Sequence, residues 1–188
     1  MKQTRAIYHR TKEANIYPLD GVEGDRFLIE AFLQDEIHDV HAEIEIRHPS
    51  LKITAARAEV RGGPFTEVCN MTHPRIESLV GMTVERGFTL EARRRVGGPT
   101  GCHRISELVV EIAQAAYQLH FVRYFASLPP SVKERPDDPP ARHRGVLESI
   151  PGMRNTCFSY SEDNAELIRE HGKPLRRRDQ QMPGREIG

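Results

Sequence analysis

A cysteine at the mouth of a glycine-rich turn is the residue of this sequence best placed to do chemistry. The segment Gly97-Gly98-Pro99-Thr100-Gly101-Cys102-His103-Arg104 runs straight into a long apolar-periodic stretch. A helix beginning there presents unpaired N–H groups and the positive end of its dipole. Both favour a thiolate at Cys102 and make it a better nucleophile or ligand. Gly98 and Gly101 would let the backbone close around an anion, which makes them the candidates for cofactor contact. The turn lacks the lysine and following hydroxyl residue of a phosphate-binding P-loop. In a catalytic reading Cys102 is the nucleophile and His38 its base, because adjacent helix residues such as His103 do not face their neighbour. The structural alternative is a plain turn followed by a small buried cap residue.

The same cysteine also belongs to a candidate ligand set. His38, Cys69, Cys102 and Cys157 would make a Cys₃His site if the sheet, the turn after it and the C-terminal segment converge on the helix start, with His103 as a further donor. Thiolates with one imidazole suit zinc or an iron–sulfur cluster. His38 shares parity with Val40, Ala42 and Ile44 and is expected on the dry side of a strand, whereas Asp39 and His41 take the wet side. Glu107 falls away from the face of Cys102 and reads as a solvent contact or dipole partner. The remaining histidines read as scattered surface residues.

These residues need elements to hold them. Phe27–Gln34 reads as a strand with Phe27, Ile29, Ala31 and Leu33 on one face, and Val40–Arg47 alternates strictly between apolar and polar. His48-Pro49-Ser50 turns the chain into Leu51–Val60, giving an antiparallel meander with one dry face. Phe65–Met71 and Pro74–Val80 read as short helical turns. In Thr83–Arg95 the alternation of Phe88, Leu90 and Ala92 favours a strand. Ile105–Leu128 is the strongest helix, since Cys102, Ile105, Leu108, Val109, Ile112, Ala116 and Leu119 recur at spacings of three and four. The fold class expected is α+β, a β meander packed against one long helix, with an irregular C-terminal tail.

The prolines at 129–130, 136 and 139–140 mark an extended linker over residues 129–144, after a core domain of residues 1–128. Residues 145–170 hold enough apolar side chains to dock back on that core, and 171–188 form a polar, flexible tail. Lys+Arg and Asp+Glu both total 27, so charge gives no reason to expect a nucleic acid or an acidic membrane as partner. No apolar run approaches the ~18 residues of a membrane span, and the N-terminal residues carry no hydrophobic signal stretch. Three scattered cysteines make no disulfide framework, so a reducing, cytoplasmic setting is expected. The expected partner is an unidentified protein or small molecule.

Taken together, the residues resemble a bacterial domain-of-unknown-function family whose members look like a β meander followed by Gly-Gly-x-x-Gly-Cys-Thr-His-Leu-x-Glu-Leu. The segment Gly97–Leu108 carries that pattern, with His103 and Arg104 where the family has threonine and histidine. The similarity extends over Ile29–Asp39, Pro64–Cys69, Leu79-Val80-Gly81 and Asn155-Thr156-Cys157. More distantly, the order of elements is similar to iron–sulfur scaffold proteins of the NifU-like type. That likeness implies a NifU-like outline, with His38 or Asp39, Cys69, and Cys102 or His103 in the ligand places. The leading expectation is a metal-binding accessory protein carrying zinc or an iron–sulfur cluster. The alternatives are a cysteine-dependent hydrolase or acyl/sulfur transferase, and a non-catalytic binding or regulatory module.

Overall fold

A four-stranded antiparallel sheet in the order β1-β2-β3-β4 forms the base of the fold. The computed structural model describes residues 6–21, 24–127 and 138–173. The strands are β1 (Arg10–Pro18), β2 (Arg26–Asp35), β3 (Asp39–Arg47) and β4 (Lys52–Gly62). β2 and β3 are joined by a tight turn in which the Asp35 amide donates to the His38 carbonyl. Their register sets Ile29 opposite Ile44 and Leu33 opposite Val40, so the alternation seen in the sequence lines one continuous dry face.

β1 has no counterpart among the strands expected from the sequence. It is an edge strand bearing Arg10, Lys12 and Glu13, and only Ala14 and Ile16 pack on the core. Edge strands are commonly charged in this way because an apolar open edge invites pairing with other chains. The same composition hides them from a search for apolar alternation.

After the sheet come α1 (Thr66–Asn70), α2 (Pro74–Glu77), α3 (Phe88–Val96) and α4 (His103–Ser127). α1 and α2 match the short helical turns expected. Residues 88–96 form a helix, which corrects the strand expected there. Phe88, Ala92 and Val96 are buried while Leu90 is exposed. The spacing that matters is therefore four, and the alternation of 88, 90 and 92 was incidental. Arg93, Arg94 and Arg95 close the helix where cations complement its dipole. Ile105, Leu108, Val109, Ile112, Ala113, Ala116 and Leu119 of α4 are buried in the same cluster as the dry face of the sheet, so the helix covers the meander as expected.

The chain divides into two compact units, Met1–Leu119 and His120–Gly188. In the second, α5 (Pro139–Ser149) and α6 (Ala165–His171) flank short 3₁₀ turns. α5 corrects the extended linker over its last residues, 139–144, whereas 129–137 lie outside the described residues. Pro139 and Pro140 occupy the first helical turn, where a missing N–H is harmless, and Asp138 caps it by accepting from the Ala141 amide at 2.9 Å. His143 Nε2 donates to the Ser159 carbonyl at 2.7 Å, and the ring stacks on Tyr160. Of the expected tail, residues 174–188 lie outside the described residues. No helix among the described residues is long and apolar enough to cross a membrane.

Candidate metal centre

The outer face of the sheet carries Glu30 and Phe32 from β2 and His41 and Glu43 from β3. They take the parity opposite to Ile29, Ala31, Ala42 and Ile44 of the core. The register places Glu30 directly opposite Glu43 and Phe32 opposite His41, while β4 sets Arg57 opposite Glu43 and Glu59 opposite His41. Like charges in directly opposed positions destabilise a sheet. Here the two side chains are also largely out of water, at 14% exposure for Glu30 and 12% for Glu43.

His41 lies between them and is buried. Its ring stacks on Phe32 with centroids 4.5 Å apart and planes 15° from parallel. Arg61 Nη2 donates to its Nδ1 at 2.8 Å, and the guanidinium lies over the Phe32 ring. Burial first, and then the Arg61 charge, hold this imidazole below its ordinary value, against the opposing pull of Glu43, Glu30 and Glu59. Because an arginine can only donate, Nδ1 keeps its lone pair and the single ring proton sits on Nε2.

That Nε2 is buried and has no hydrogen-bond partner among the described residues. Its nearest polar neighbours are Glu43 Oε1 at 3.5 Å and Glu30 Oε1 at 3.6 Å. Those separations are too long for good hydrogen bonds. They suit a shared cation, since bonds of about 2.0–2.2 Å at tetrahedral angles set ligand atoms about 3.4 Å apart. Arg57 pairs with Glu43 Oε2, so the other oxygen is left facing the imidazole. Among the described residues, Glu30, His41 and Glu43 form the single group of three or more His, Cys, Asp or Glu able to hold a metal ion, with ligand atoms all within 4.8 Å of one another.

The residues singled out in the sequence stand elsewhere. His38 lies in the turn between β2 and β3, half-buried, with Nδ1 3.1 Å from Asp35 Oδ1. That carboxylate also accepts from the Ile37 and His38 amides, Tyr8 and Arg10, so His38 is part of a turn network. Cys69 in α1 and Cys102 at the start of α4 are partly buried and pack on the core. His103 is exposed on α4, and Cys157 is exposed in the second unit. Within the first unit, no three of His38, Cys69, Cys102 and His103 form a ligand group among the described residues, whereas Cys157 belongs to the second unit.

The glycine turn has a packing explanation. A Cβ on Gly101 would lie 1.9 Å from the Val96 carbonyl oxygen, and the Cys102 amide donates to that same oxygen at 2.9 Å. Gly98 adopts φ +72°, the left-handed region that favours glycine. Gly98 and Gly101 thus allow α3 to turn tightly into α4. Glu107 gathers Arg104, Lys12 and Arg10 and ties β1 to α4, closer to a structural ion pair than to the solvent contact expected.

Sequence reasoning missed Glu30, His41 and Glu43 because charged residues on a wet strand face are ordinarily solvated. A signal was nevertheless present: the hairpin register that pairs Leu33 with Val40 also sets two glutamates face to face, one step from a histidine.

A family model for proteins of unknown function, DUF2889, matches residues 23–118, half of the chain. The chain belongs to that family. No curated protein and no solved structure matches it.

Proposed function

We propose that this DUF2889 chain is a metal-binding accessory protein that holds a divalent ion, zinc foremost, on the outer face of its sheet through Glu30, His41 and Glu43. The observation that carries the reading is His41 Nε2, buried and without a hydrogen-bond partner among the described residues, with a carboxylate oxygen of Glu43 3.5 Å away and one of Glu30 3.6 Å away. Two carboxylates and one neutral imidazole suit zinc or a similar divalent ion, whereas an iron–sulfur cluster would need thiolates that this group lacks. Three protein donors leave a coordination position for water or a small-molecule ligand, the pattern of exchangeable rather than purely structural zinc sites.

The deciding experiment is a zinc titration against a competing chelator with the wild-type chain, Glu43→Gln, His41→Ala and Cys102→Ala. One zinc per wild-type chain is expected, with affinity at least about tenfold weaker in the first two variants and unchanged in Cys102→Ala. Zinc binding that survives His41→Ala, or disappears with Cys102→Ala, would overturn the assignment.

A further inference from the structure

A histidine that ligates a metal through Nε2 ordinarily donates its Nδ1–H to a carboxylate or carbonyl, which fixes the ring and raises its basicity. His41 shows the inverse arrangement. Its Nδ1 faces Arg61 Nη2 at 2.8 Å, and arginine has nothing with which to accept a proton. In this state Nδ1 must keep its lone pair, so the proton stays on Nε2, the atom aimed between Glu30 and Glu43.

Resting on the metal-site reading above, we infer that Arg61 is a positioning residue that latches the metal-free site, holding His41 in the tautomer that cannot ligate and so setting the affinity for the ion. Binding then requires an exchange with no net change in protonation: Nε2 gives up its proton, Nδ1 gains one through solvent, and the Nε2 lone pair passes to the ion. The new Nδ1–H and the guanidinium are both donors and cannot stay together. Arg61 has a place to go, since its Nε is already 3.2 Å from Glu59 Oε2 and its side chain is 43% exposed. Release also moves a positive charge away from the incoming cation.

The latch makes a prediction that runs against the usual effect of mutating a residue beside a metal site. Removing Arg61 should tighten binding. Glutamine can accept from Nδ1–H where arginine cannot, so Arg61→Gln should support the ligating tautomer, and Arg61→Met should merely stop opposing it.

The test pairs long-range proton–nitrogen NMR of His41 in the metal-free chain with zinc titrations of wild type, Arg61→Met and Arg61→Gln. The expected results are a wild-type ring protonated at Nε2 alone, transfer of that proton to Nδ1 on adding zinc, and affinities rising in the order Arg, Met, Gln. The first step should be about tenfold, the effect of losing one charge-assisted hydrogen bond. Zinc bound by wild type with no gain in either variant would overturn the latch and leave the metal site standing. So would a metal-free wild-type ring carrying its proton on Nδ1. Absence of zinc from all three chains would overturn the metal-site reading and the latch with it.

Discussion

Replacing Glu30 by glutamine should reverse the order of stability between wild type and variant, depending on whether zinc is present. Glu30 and Glu43 are directly opposed, and their facing oxygens lie within 4.8 Å of each other and of His41 Nε2. Two like charges at that separation repel by about 3.5 kcal/mol at an effective dielectric constant of about 20. Arg57 offsets part of this by pairing with Glu43, and opposed like charges in sheets are worth about 0.2–1 kcal/mol by substitution. Glu30→Gln keeps the shape and removes one charge, so the metal-free variant should be more stable by about 1 kcal/mol, or roughly 2–4 °C in Tm. Zinc at 100 times its Kd would stabilise the wild type by about 2.7 kcal/mol. The variant, reduced to two good ligands, should gain only a small part of that. The assay is thermal or urea unfolding of both chains in excess chelator and then in excess zinc. A variant less stable than wild type in chelator, together with equal zinc shifts, would refute the argument that this charge pair is held together for a cation.

Two further outcomes follow from the rest of the fold. Burial alone would raise the Asp35 carboxyl, but hydrogen bonds from Tyr8, the Ile37 and His38 amides and the His38 ring together hold it well below its ordinary value of 3.8. Its contribution is therefore full above about pH 4 and is lost as pH falls below that, because the unfolded chain takes up the proton first. Asp35→Asn should flatten the acid limb of stability measured by urea midpoints between about pH 2 and 5, and an unchanged limb would show that the turn network is not what acid disrupts. At the α3–α4 connection, Gly101→Ala drives a methyl group into the Val96 carbonyl and should cost about 2–3 kcal/mol. Gly98→Ala meets open space at φ +72° and should cost only about 1–2 kcal/mol, so urea denaturation giving the opposite order would contradict the packing account of this turn.

Much of the scaffold was legible because burial imposes a period on the sequence. The strict alternation of Val40–Arg47 is the imprint of one dry face, and the three-four stripe from Ile105 to Leu119 is the imprint of a helix laid on it. Elements with few buried side chains left a weak imprint. β1 is an exposed edge and showed no apolar alternation, while α3 buries one side chain per turn, a pattern that short stretches share with a strand. The prolines before α5 were legible as a break, yet a proline pair both ends and begins helices, and Asp138 supplies the cap that begins this one.

The candidate site divides in the same way. The sequence by itself determined the meander, its hairpin and the long helix, because each is a local repeat enforced by water. Which polar residues act together was decided only by the tertiary structure. Cys69, Cys102 and Cys157 drew attention by type, but type does not bring distant segments into contact, and two of the three pack as small partly buried residues. Glu30, His41 and Glu43 are individually ordinary on a wet strand face. They become a candidate centre because strand register sets the glutamates opposite each other while Phe32 and Arg61 close over the imidazole. Burial takes Nε2 out of contact with bulk solvent, and its lack of a hydrogen-bond partner among the described residues is a property of three dimensions that no spacing in the chain encodes.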